Sequence, residues 1–190
     1  MDFIVVHGSP GSGKTTISRK LHESLKCPWF EFGWIPEFRM LNPHNEMTGK
    51  EEEEMSFENL ILVCRNYIKH GFENILLSDL MDKRMLDIPI SFAGNSYIIF
   101  TLYSENNDVI RERILNRENG NTYRNFEEAM KINSGIRNRA TLPNEHRIRT
   151  DHQGADGITR QILSILERHE FDPVFCKEEY DSSGYFSYTD

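Results

Sequence analysis

Eight residues near the start, Gly8-Ser9-Pro10-Gly11-Ser12-Gly13-Lys14-Thr15, constrain this chain more than any other stretch. They follow an apolar run, Phe3-Ile4-Val5-Val6, and precede a helical pattern from Ile17 through Leu25. A glycine-rich turn between a buried strand and a helix points consecutive backbone N–H groups inward. That makes a nest for the phosphates of a nucleotide. The positive end of the helix dipole adds to the same field. Gly8, Gly11 and Gly13 permit backbone angles and close approaches that a Cβ forbids. Lys14 has the reach to meet β- and γ-phosphates, the Thr15 hydroxyl is a ligand for Mg²⁺, and Thr16 completes the first helical turn. A chance lysine in a glycine-rich turn is the plainer reading, but the whole pattern in a strand–helix setting argues for a nucleoside triphosphate site.

At 190 residues the chain suits one domain with a layered core of sheet and helices. Hydrophobic residues make up 38% and charged ones 27%, a balance typical of globular proteins in water. No apolar run approaches the length of a membrane span, and the first strand starts at once, so neither membrane insertion nor a signal peptide is expected. Cys27, Cys64 and Cys176 form no CxxC pair, which suggests reduced thiols and a cytoplasmic location. A net charge of −8 argues against a broad nucleic-acid surface while permitting a local phosphate site.

Alternating patterns run along the chain. The first strand covers Phe3 to His7, and the first helix runs from Lys14 to Leu25. An aromatic strand follows from Cys27 to Ile35, breaking at Gly33 and Pro36, and residues 36–47 read as a loop over the site entrance. Thr48 and Glu51 form a capping box for a helix to about Lys69. Glu51 to Glu54 then fall in its first turns, where carboxylates complement the dipole and read as solvated. Asn74 to Leu77 is a continuous apolar strand of the buried parallel kind, delivering Ser78-Asp79 at its carboxyl end. Asp79 is thus a candidate to hold Mg²⁺, directly or through water, with a helix-capping rim aspartate as the alternative. Residues 82–94 read as a short helix interrupted by Pro89, and Tyr97 to Leu102 as the fourth strand.

Asn106 to Asp108 cap a helix to about Glu118, and residues 117–125 read as a small mobile lid carrying Arg117 and Arg124. Asn125 and Glu128 cap the next helix, to about Ala140, with Arg137 and Arg139 exposed. His146 to Thr150 is the fifth strand, and Asp156 caps a final helix with Ile158, Ile162, Leu163 and Leu166 inward. The predicted fold is a three-layer α/β/α sandwich around a five-stranded, mainly parallel sheet. Residues 1–170 form its single domain, and 171–190 an aromatic tail that docks on the body or on a second subunit of a homodimer.

The arginines bear on the reaction class. Moving a γ-phosphoryl group needs positive charge that arrives after the substrate and excludes water. Arg113, Arg117 and Arg124 around a flap answer that need, although Glu112 and Glu118 offer helical ion pairs instead. No NKxD stretch of the kind that reads guanine is present.

The phosphate loop resembles that of adenylate-kinase-type enzymes, and the element order is similar to small P-loop kinases such as shikimate and gluconate kinases. Pro28-Trp29 followed by Phe32-Gly33 also resembles the chloramphenicol phosphotransferase branch. The resemblance covers about residues 3–168 and implies ATP, Mg²⁺, an arginine-bearing lid and phosphorylation of a hydroxyl or phosphate on a small molecule. In the chloramphenicol branch an aspartate two positions after that phenylalanine-glycine is the base, and here Ile35 stands there. Glu37 is a replacement two residues on, and Glu31 faces either the site or the other side of the sheet. The reading therefore places Lys14, Asp79, Glu37, Arg113 and Arg117 in catalysis. Residues 8–16 with Arg113 and Arg117 hold ATP, and Thr15 with Asp79 holds Mg²⁺. The rival readings are a nucleotide-binding regulatory protein without turnover, motivated by Ile35 and the tail, and a polynucleotide 5′-hydroxyl kinase, which the acidic balance disfavours.

Overall fold

The computed structural model describes residues 1–35, 38, 44, 46–117 and 123–168. Five strands form one parallel sheet in the order β2-β3-β1-β4-β5, with β1 (Phe3–Gly8) central, β2 (Trp29–Glu31) and β5 (Glu145–Arg149) at the edges, and β3 (Ile75–Ser78) and β4 (Tyr97–Tyr103) between. Every pairing is parallel. Parallel strands need helical crossovers on both faces, which explains why β1 and β3 are wholly buried and apolar up to their carboxyl ends, where His7 and Ser78 stand.

Side chains alternate between the faces. Phe3, Val5, Ile75, Leu77, Tyr97 and Ile99 pack against α2 (Gly49–Lys69), α3 (Asp82–Met85) and α4 (Ile88–Ser91), where Phe92 stacks on Phe3 at 3.8 Å. Ile4, Val6, Leu76, Ile98, Phe100 and Ile148 pack against α1 (Lys14–Leu25) and α7 (Ala155–Arg168). Helices α5 (Asn107–Leu115) and α6 (Phe126–Asn138) make a smaller cluster through Ile110, Ile114 and Ala129. Among the described residues no helix is long and apolar enough to cross a membrane.

Most elements stand where the patterns place them, and the differences have local causes. The capping box is formed: the Glu51 N–H donates to Thr48 Oγ1 and the Thr48 N–H to Glu51 Oε2. Its neighbours correct the reading of a solvated acidic turn, because Glu52 and Glu53 are buried. Glu52 accepts from the Phe38 N–H, and Glu53 is clamped by Arg84. Pro89 lies in the first turn of α4 and starts a helix that it was expected to interrupt. The aromatic strand is short, since its partner β3 ends at Ser78 opposite Glu31, and Phe32–Trp34 turn into a single 3-10 turn. Asp156 lies inside the first turn of α7, where it pairs with Lys20, so it is not the cap. Helix α6 stops at Asn138, and Arg139 is extended and buried. Both Nη atoms of Arg139 meet the Glu145 carboxylate, one of them at 2.8 Å from Oε2. Glu37, the centre of the lid at 118–122 and the tail at 171–190 lie outside the described residues.

Candidate active site

Between β1 and α1 the loop folds as its glycines dictate. Gly8, Gly11 and Gly13 have φ of 145°, 81° and 100°, the region where a side chain is strained. Their tasks differ. A Cβ on Gly8 would lie 2.4 Å from the Leu102 carbonyl oxygen, and one on Gly11 would lie 3.0 Å from Ile114 Cγ1. Those two glycines seat the loop against β4 and α5. A Cβ on Gly13 would meet nothing within 4 Å. The space over Gly13 is open, as an incoming phosphate requires.

The same loop holds Ser9 and Ser12, whose buried hydroxyls have no hydrogen-bond partner among the described residues. Buried hydroxyls left without partners are uncommon, and phosphate oxygens would satisfy them. Pro10 is half-buried at the turn, and Thr16 is exposed at the start of α1. Lys14 Nζ donates to the carbonyl oxygens of Gly8 at 2.8 Å and Ser9 at 3.2 Å, and lies 3.4 Å from Asp79 Oδ1. Those carbonyls hold the ammonium over the cradle, where a triphosphate would compete for it.

Two carboxylates complete the rim. Asp79 follows β3 with φ of 62°, a left-handed conformation rare outside glycine, and its side chain is 47% exposed. Such backbone strain costs on the order of 1–3 kcal/mol and concentrates at functional sites. Glu31 comes from β2 and accepts from Thr15 Oγ1 at 2.7 Å. Donating its proton to Glu31 leaves the Thr15 oxygen lone pairs for a cation. The donor set of one hydroxyl and two carboxylates is hard oxygen, which suits Mg²⁺ completed by phosphate oxygens and water. Glu31 was left open between two faces in the sequence. Phe30 packs toward α2 and Trp29 toward α1, so Glu31 falls on the α1 side beside Thr15. The alternation of these three residues carried the signal, once Trp29 and Phe30 are assigned to their faces.

The arginines separate. Arg113 does not ride on a lid: its guanidinium donates to Thr150 Oγ1 at 3.0 Å and to the Thr150 carbonyl at 2.8 Å, tying α5 to the end of β5. Burial lowers its pKa, with Asp151 opposing. The role of a moving charge is therefore withdrawn from Arg113. Arg117 stands just past α5 and Arg124 just before α6, and Arg124 Nη2 points at the Arg117 carbonyl at 3.5 Å. They bracket the centre of the lid. Arg137 bonds the Glu105 carbonyl, and Arg139 is structural. Burial pushes the Glu145 carboxyl up, but the Arg139 bond and charge outweigh it and hold it below its ordinary value.

A further polar pair, absent from the sequence reading, lies beside the loop. His7, the last β1 residue before Gly8, is buried, and its Nε2 meets Asp82 Oδ1 at 2.8 Å. Burial works to raise the Asp82 pKa. The bond and charge from His7 prevail, with Arg139 and Lys14 adding, and the net shift is downward.

No protein-family model and no curated protein sequence matches the chain. Solved structures do match. A sugar kinase from Janibacter sp. HTCC2649 superposes with a TM-score of 0.62 at 20% identity, over 87% of this chain and 94% of that one. A gluconokinase from Sinorhizobium meliloti 1021 gives 0.60 at 17% identity, over 87% and 91%. A shikimate kinase from Acinetobacter baumannii, solved in complex with shikimate, gives 0.54 at 20%, over 90% and 95%. These neighbours are kinases of small molecules, and the fold of this chain is the one that these small P-loop kinases share.

Proposed function

We propose that this protein is an ATP- and Mg²⁺-dependent kinase that phosphorylates a hydroxyl or phosphate of a small molecule. One observation carries the reading: an open glycine cradle at the carboxyl edge of a parallel sheet, with Lys14 above it and Thr15, Glu31 and Asp79 on its rim. In that reading the loop amides, Ser9, Ser12 and Lys14 bind the β- and γ-phosphates. Thr15, Glu31 and Asp79 hold Mg²⁺, which would neutralise charge on the transferring group. Arg117 and Arg124 supply the late-arriving charge from the lid. The acceptor enters over the carboxyl edges of β2 and β3.

Nucleotide binding and turnover are tested in sequence. ATP and ADP with Mg²⁺ should raise the melting temperature of the wild type and leave that of Lys14→Ala unchanged. Equal shifts in both would remove Lys14 from the site. ADP release is then followed with gluconate, shikimate and a wider set of hydroxylated sugars, nucleotides and antibiotics. Acceptor-stimulated release supports the kinase. Nucleotide binding without any such stimulation supports the regulatory alternative.

A further inference from the structure

Among the described residues the kinase reading leaves one chemical task without a group, since Glu37 lies outside them. The acceptor hydroxyl must lose its proton, and Ile35 stands where the chloramphenicol branch carries its base. Asp79 and Glu31 are engaged with Lys14 and Thr15 on the side of the phosphates and cation. The next carboxylate along the chain from Asp79 is Asp82, three residues on at the start of α3.

From the geometry we infer that Asp82, oriented by His7, takes the proton from the acceptor hydroxyl. The inference rests on the kinase reading. Asp82 is 11% exposed, so its carboxylate reaches the surface at one edge only, whereas the His7 side chain is 1% exposed and closed off beneath it. Of the two groups the carboxylate is therefore the one nearer the surface. His7 directly precedes Gly8, which ties the carboxylate to the same strand end that sets the phosphate loop. The charged groups bearing on Asp82 come from three places: His7 on β1, Lys14 at the head of α1 and Arg139 after α6. All three favour the ionised form. A desolvated anion held against the strand end that carries the phosphate loop orients an O–H better than a mobile surface acid.

In the step itself the acceptor oxygen forms a bond to the γ-phosphorus. The bond from that phosphorus to the bridging oxygen breaks, and its electron pair leaves with ADP. The acceptor O–H bond breaks as its proton passes to Asp82, which later releases it to water. A merely structural His7–Asp82 pair would join β1 to α3 and leave the rate alone. The two roles are separable by experiment.

With an acceptor found by ADP release, Asp82→Asn should lower kcat by about 10²-fold or more, the range of general-base catalysis. Its KM for ATP and its ATP-dependent melting shift should remain those of the wild type. His7→Gln keeps a donor to Asp82 but removes the imidazole. The acid limb of kcat should then move to higher pH, because the carboxylate protonates more easily. A kcat within twofold of wild type in Asp82→Asn, or an unmoved acid limb in His7→Gln, overturns the assignment. If Asp82→Asn does not fold, the His7→Gln profile decides alone. Wild-type protein that phosphorylates no acceptor refutes the kinase reading, whereas turnover that is indifferent to Asp82 refutes only this inference.

Discussion

Replacing Arg139 with methionine tests the division of the arginines most directly, because the pair it would break is closed to water. The Arg139 side chain is 2% exposed and that of Glu145 is 0%. The Glu145 carboxylate accepts from both Nη atoms of Arg139, from Thr101 Oγ1 and from the Leu142 N–H. Methionine leaves the hydroxyl and the amide in place but removes both close guanidinium bonds, and the nearest remaining guanidinium nitrogen recorded there, Arg147 Nε, lies 3.9 Å from Oε2. Breaking a buried pair by removing one partner costs about 3–5 kcal/mol. In a domain of this size each kcal/mol moves the melting temperature by roughly 2–4 °C, so a fall of about 6–20 °C is expected. Removing both charges in Arg139→Met with Glu145→Leu should recover most of that loss, since no unpaired charge stays buried.

The pH dependence follows from the same residues. The folded Glu145 pKa is held below its ordinary value, so the pair stabilises above that value and is lost as pH falls through the lowered one. In Arg139→Met, burial loses its main counterweight and the carboxyl pKa rises, although the Thr101 and Leu142 bonds remain. It then takes up a proton at higher pH, and the cost of the substitution shrinks as the solution is acidified. Urea unfolding at pH 7 and pH 4.5 measures both terms. A loss under 1 kcal/mol at pH 7, or a double variant no more stable than the single, would refute the claim that Arg139 is structural. The ATP-dependent melting shift should survive in Arg139→Met, since the phosphate loop is untouched.

Two further outcomes follow from the site, beside those for Lys14 and Asp82. Glu31→Gln should raise the Mg²⁺ concentration needed for half-maximal turnover by about 10–100-fold, the usual effect of losing a group that orients a metal ligand, and a metal titration that overlays the wild type would exclude it from the cation site. Gly8→Ala forces a Cβ to 2.4 Å from the Leu102 oxygen at a φ of 145°. Thermal melting should show a protein destabilised by several kcal/mol, on the order expected for strain plus overpacking, and a wild-type melting curve would contradict the seating of the loop on β4.

Much of the design is local, and local design is readable. Gly8 through Thr15 announce a phosphate cradle because the glycine angles, the strand before it and the helix after it are all properties of adjacent residues. The alternation of strand and helix likewise implies a parallel sheet, because period-two and period-3.6 patterns are short-range. The capping box of Thr48 and Glu51 is legible for the same reason. What adjacent residues cannot carry is the partner chosen across the sheet. Arg113 looked like catalytic charge, and only the arrival of the end of β5 beside α5 supplies Thr150 to bind it. Glu52 and Glu53 read as solvated until α2 packs against Phe38 and Arg84. Glu31 and the His7–Asp82 pair became site candidates through contacts that span 16 and 75 residues of chain. Sequence determined the cradle and the class of fold, because chemistry and periodicity are written in neighbours. Tertiary structure decided which charges face the cradle, because burial and pairing depend on segments that meet only once the sheet is assembled.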